Sequence, residues 1–85
     1  MSDTTFSKRM ISTESHLVEI TIDTDSSDMI KKFFEFQTSS NTIPKHQGMD
    51  SEKMGVFRAV FLEEDAKKVT DWFLENGILY KEPNP

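Results

Sequence analysis

Val56-Phe57-Arg58-Ala59-Val60-Phe61-Leu62 runs without a break into Glu63-Glu64-Asp65, and this junction decides how the rest of the chain is read. Phe57, Ala59 and Phe61 share one face of a strand, and Val56, Arg58, Val60 and Leu62 share the other. Both faces are largely apolar, which places the strand in the middle of a sheet. The three acids that follow complement the positive end of a helix dipole. Glu63→Lys67 and Glu64→Lys68 are well-oriented i,i+4 pairs, and Gly77 stands where a helix ends. The spacing predicts a helix over 63–76 with Ala66, Val69 and Phe73 as its buried stripe and Trp72 or Leu74 on its flanks. Ile78-Leu79-Tyr80 reads as a short closing strand.

Working toward the N-terminus, residues 16–22 carry the cleanest alternation in the chain. Val18, Ile20 and Ile22 fall on one face, Glu19 and Thr21 on the other, as in a half-buried strand. Asp23-Thr24-Asp25-Ser26-Ser27-Asp28 supplies capping oxygens and carboxylates for a helix start. That helix runs to about Thr38. Ile30, Phe33, Phe34 and Gln37 form its apolar stripe, flanked by Met29 and Phe36, with Lys31, Lys32 and Glu35 outside. Between Ser39 and Met54 there is no sustained period. Thr42-Ile43-Pro44-Lys45-His46 is either a short edge strand, where proline is tolerated, or part of a loop of about 15 residues. Residues 1–15 are a flexible segment or an edge strand that folds back as a hairpin through Ser12-Thr13-Glu14-Ser15.

The resulting order, strand–helix–uncertain segment–strand–helix–strand, resembles the ferredoxin-like domains. What the resemblance implies is an α+β βαββαβ sandwich, with a four-stranded, largely antiparallel sheet and two helices on one face. It is a likeness of layout and carries no functional residues with it. One domain over 16–81 is expected, with a tail at 82–85.

Composition narrows the function. At 85 residues there is room for one core. No cysteine means no disulfide, thiolate zinc site, iron–sulfur ligation or cysteine nucleophile. His16 and His46 lack metal-ligand spacing, so neither metal nor cofactor is expected. The serines have no nucleophile-elbow context, and the three glycines are too scattered for a phosphate cradle. The expectation is a chain that is not an enzyme. The polar N-terminus lacks a signal-peptide pattern and no apolar run reaches membrane-span length. The cytoplasm is therefore the expected compartment, without a membrane partner.

Two binding readings remain. Two short helices cover only one side of a small sheet, which leaves Val56, Val60, Leu62 and Leu17 as a partner-binding patch on the other side. An open sheet edge adds a route to a homodimer or a protein partner. By elimination the chain is expected to be a small regulator or inhibitor that binds another protein, in the manner of phage inhibitors of a host enzyme, nuclease or toxin. The alternative is RNA association through Lys31, Lys32, Lys45 and Arg58, alone or with a ribonuclease bound to its RNA. A net charge of −5 opposes a wholly basic surface but not a local one. Lys53–Phe61 has Gly55 and Phe61 where an RNA-recognition motif has its aromatic octamer. Val56 and Arg58, however, stand where that octamer needs rings.

Overall fold

A computed structural model describes residues 4–82 of the chain. Its elements are β1 (Thr5–Ser12), β2 (Leu17–Asp23), α1 (Ser27–Ser40), β3 (His46–Met49), β4 (Val56–Leu62), α2 (Glu63–Glu75) and β5 (Leu79–Tyr80). The strands form one sheet in the order β3-β4-β2-β1-β5. Two helices on a mixed five-stranded sheet make a small α+β fold that is only roughly ferredoxin-like. The expected four-stranded sheet is corrected to five strands, with β5 parallel to β1.

The added strand is β1. It pairs antiparallel with β2, Phe6 opposite Ile22 and Met10 opposite Val18, with an irregularity between Met10 and Ser12. β1 and β2 form the hairpin expected through Ser12–Ser15; β5 lies on the outer side of β1 only at Thr5 and Phe6, so β1 is interior at its start and an edge from Ser7 to Ser12. Strand directions follow from the pairings. β2 is antiparallel to both β1 and β4, so β1 and β4 run the same way. The connection through α2 returns the chain parallel to β4, and β5 therefore meets β1 in parallel.

The turn between β1 and β2 also organises the far end of the fold. Ser12 Oγ accepts the Ser15 amide at 3.1 Å, and His16 takes the left-handed conformation at φ 54. The His16 carbonyl then accepts the Glu63 amide at 2.7 Å. That bond satisfies a first-turn donor of α2, a helix whose N-cap, Leu62, offers no side-chain oxygen. At α1 the side chain of Ser26 does this work, accepting from the Met29 amide. Both helices close with paired backbone bonds of the Schellman type. In α1 these run from Asn41 to Thr38 and from Thr42 to Gln37. In α2 they run from Gly77 to Leu74 and from Ile78 to Phe73. Asn41 (φ 55) and Gly77 (φ 75) supply the left-handed residue.

The core lies between the helices and one sheet face. Phe6, Val18, Ile20, Ile22, Phe57, Ala59 and Phe61 come up from the strands to meet Phe33, Ala66, Val69 and Phe73. Phe33 is the hub, its ring 5.4 Å from Phe73 and near 6 Å from Phe61, Phe57 and Trp72. Phe36 stacks on Trp72 at 4.9 Å, and Phe6 reaches Phe73 at 4.8 Å.

Three local expectations change. The outer strand lies at His46–Met49 and not at 42–46; Pro44 precedes it, and the Lys45 amide bonds to the Val60 carbonyl. Phe34 stays 40% exposed at the rim of the core, over Phe57. Among the described residues α2 carries an Asp65–Lys68 pair at 3.8 Å in place of the two expected i,i+4 pairs. The tail expected at 82–85 falls, beyond Glu82, outside the described residues.

Candidate functional site

Because both helices pack on one side, the other face of the sheet carries no helix among the described residues. Strand alternation decides what it presents. From β4 come Val56, Arg58, Val60 and Leu62; from β2, Leu17, Glu19, Thr21 and Asp23; from β1, Ser7 and Arg9. His46 and Gly48 of β3 face the same way, opposite Val60 and Arg58. Leu17 opposes Leu62 and Glu19 opposes Val60. The three aliphatic residues Leu17, Val60 and Leu62 thus gather at the end of the face near the β1–β2 turn.

All three are half-buried, whereas Val56 is only 8% exposed. Val56 is the first residue of β4, with Asp23 as its partner on one side and its carbonyl taken by the Asp50 amide on the other. A partner would meet Leu17, Val60 and Leu62 there, and little of Val56.

The middle of the face is polar and internally bonded. Arg58 donates through Nε and Nη2 to Asp50 Oδ2 at 3.2 and 3.0 Å, and through Nη1 to Thr21 Oγ1 at 3.1 Å. Its Nη1 is also 3.7 Å from Glu19 Oε1, and Glu19 accepts from Arg9 Nε at 3.1 Å. The chain of charges Asp50–Arg58–Glu19–Arg9 therefore crosses the sheet from the β3–β4 loop to β1. Asp50 and Glu19 are mostly covered; Arg9, at 65% exposure, is the open end. A depression of about 430 Å³ lies along this chain, walled by Ser7, Arg9, Thr21, Lys53 and Arg58 among others.

Asp50 also accepts the amides of Glu52 and Lys53 at 2.7 and 3.0 Å. These amides, first that of Glu52, together with the Arg58 guanidinium, hold its carboxyl below the ordinary carboxylate value. Such a carboxylate is a charge-assisted acceptor and a fixed anion.

The four cations of the RNA reading are not brought together. Arg58 lies on the open face, while Lys31 and Lys32 belong to α1, in the layer on the opposite side of the sheet. Lys45 sits in the α1–β3 connection. Phe61, the one aromatic that fits the octamer, and Phe57 of the same stretch point into the core at 0% and 3% exposure, out of reach of a base. Among the described residues no three His, Asp or Glu side chains group as metal ligands, and no helix is long and apolar enough to cross a membrane.

Sequence reasoning put Glu19 and Thr21 on the polar face of their strand but not beside Arg58, and it missed Asp50 and Arg9. Their signal was register alone: strand parity puts Glu19, Thr21 and Arg58 on one side, but only the pairing of β2 with β4 makes them neighbours. No protein-family model matches this chain, and neither curated proteins nor solved structures yield a match.

Proposed function

We propose that this chain is a non-enzymatic regulator or inhibitor that binds a protein partner on the uncovered face of its sheet. One observation carries the reading: the helices close one side, and the other is a mixed surface of the kind protein interfaces use. There, half-buried Leu17, Val60 and Leu62 lie beside a fixed arrangement of Arg58, Glu19 and Arg9. Interfaces of non-obligate complexes are about as apolar as ordinary surface, with arginine enriched at their energetic centres. Arg58 is held in place before binding, so little side-chain entropy is lost when a partner carboxylate or carbonyl reaches it. A phage-type inhibitor of a host enzyme, nuclease or toxin fits this description, and the cytoplasm is the compartment in which it would act.

The test is capture from cells of the source organism by the native chain and by Val60→Lys and Leu62→Lys, with and without nuclease. Lysine is chosen at 60 because Glu19 stands directly opposite, so the new charge is tolerated by the fold. The expected result is one protein retained after nuclease and lost from both variants while their circular dichroism is unchanged. Capture that nuclease abolishes would move the reading to RNA association. Capture indifferent to both substitutions would remove the open face from the argument.

A further inference from the structure

We infer that two copies of this chain join edge to edge through β3, antiparallel, about a two-fold axis at Gly48. β3 is the outermost strand on its side of the sheet, and all four of its residues are exposed. The Asp50 amide bonds to the Val56 carbonyl at 2.8 Å, in register with the pairing of Gly48 with Arg58 and His46 with Val60. Antiparallel ladders alternate. The main-chain groups of His46, Gly48 and Asp50 therefore point to β4, and those of Gln47 and Met49 point outward, where no strand of the described residues receives them.

Directly opposed residues in a continued sheet must lie on the same face. Pairing Gln47 with Met49 of the second copy meets this condition and uses every outward group of the strand. It also sets His46 against the second copy's Asp50, an imidazole opposite a carboxylate held as an anion by Arg58 and two amides. The same happens again on the other side of the axis. The alternative register, centred on Gln47, opposes His46 with Gly48 and loses this match.

Gly48 is the second observation. It has none of the positive φ that Gly55 and Gly77 carry, and a Cβ there would meet nothing within 4 Å. Nothing among the described residues calls for glycine. A glycine inside a strand weakens it and marks places where another backbone comes close. On the axis, Gly48 would face its own copy in a non-hydrogen-bonded pair, the closest Cα approach in an antiparallel sheet at ~4.5 Å. On the helix side of the same edge, Met49 (59% exposed) and Phe34 (40%) flank Phe57 and form an apolar lip for the second copy to cover.

The chain has no cysteine, so single cysteines report the axis cleanly. Under mild oxidation Gly48→Cys is expected to form a covalent dimer at least ~10-fold faster than Gln47→Cys, because only position 48 meets the disulfide distance limits across the axis. The native chain is expected to sediment as a dimer, and Met49→Lys as a folded monomer, its near-ultraviolet dichroism from Trp72 unchanged. A native monomer at all concentrations, a dimer that survives Met49→Lys, or faster cross-linking of Gln47→Cys would each overturn the assignment. None of these outcomes depends on the open face binding a partner, so this inference and the proposed function fail separately.

Discussion

Asp50 clasps Arg58 across the β3–β4 ladder, its Oδ2 accepting Nη2 at 3.0 Å, while its Oδ1 holds the amides of Glu52 and Lys53. One carboxylate thus ties the connecting loop to the sheet and sets the rotamer of the most central side chain on the open face. The backbone bond from Glu52 and the Arg58 guanidinium both favour the ionised form, so the folded-state pKa lies below the ordinary value of 3.8. A depressed pKa contributes stability that is complete above the unfolded value and is lost as pH falls through the folded one. The clasp is expected to hold from neutrality down past 3.8 and to open only as the pH falls through the lower folded value. The Glu52 and Lys53 amide resonances, followed by NMR on acidification, check this. Asp50→Ala, which removes both acceptor oxygens, should show the opened loop already at pH 7.

Gly55 precedes β4 with φ +80, and a Cβ there would stand 3.0 Å from the Thr24 carbonyl oxygen. The Thr24 amide bonds back to the Gly55 carbonyl at 2.8 Å, so neither backbone can withdraw without losing that link. Gly55→Ala is expected to cost about 1–3 kcal/mol, from left-handed strain and the clash together. Urea unfolding followed by Trp72 fluorescence measures it, and an unchanged midpoint would contradict the account.

Phe33 has no exposed surface and joins the rings from β4 to those of α2. Phe33→Ala should leave a cavity costing about 3–5 kcal/mol. Against a total of about 5–15 kcal/mol for a domain, that puts the variant close to unfolding at 25 °C. Phe34→Ala, one residue along but at the rim, is expected to cost far less. Equal losses at the two positions would place the core elsewhere.

Ser26 is the only side-chain cap at a helix N-terminus among the described residues, accepting the Met29 amide at 3.3 Å. Ser26→Ala should destabilise by about 1 kcal/mol. Ser26→Asp should restore most of the loss, since an aspartate both accepts the bond and complements the dipole. Thermal melts of the two variants decide between a cap and an incidental contact.

Much of the architecture could be read directly from the residues. The alternation of Val18, Ile20 and Ile22, the opposed faces of Val56–Leu62, and the stripe Ala66, Val69, Phe73 all recur at their element's own period, and each is buried as that period requires. Such patterns are local, because a strand or helix sorts its side chains before it finds a neighbour. The exposure of Phe34 was not legible, since a stripe gives a direction but not how far the neighbouring layer extends. Nor was the position of His46–Met49, where four residues are too few for a period to show.

What the sequence determined by itself was therefore both helices, the strands β2 and β4, and the two faces of each of those strands. Tertiary structure alone decided the rest: that Thr5 and Phe6 lie between two strands, and that Arg9, Glu19, Arg58 and Asp50 form one connected row. β1 alternates Phe6, Lys8 and Met10 on its core side, a pattern whose lysine gives no sign of an interior place. β2 along its length and β5 at Thr5 and Phe6 hold it there through backbone bonds that are indifferent to side-chain identity. Arg58 likewise lies thirty-seven residues from Thr21, and only the antiparallel register of β2 with β4 brings guanidinium and hydroxyl to 3.1 Å.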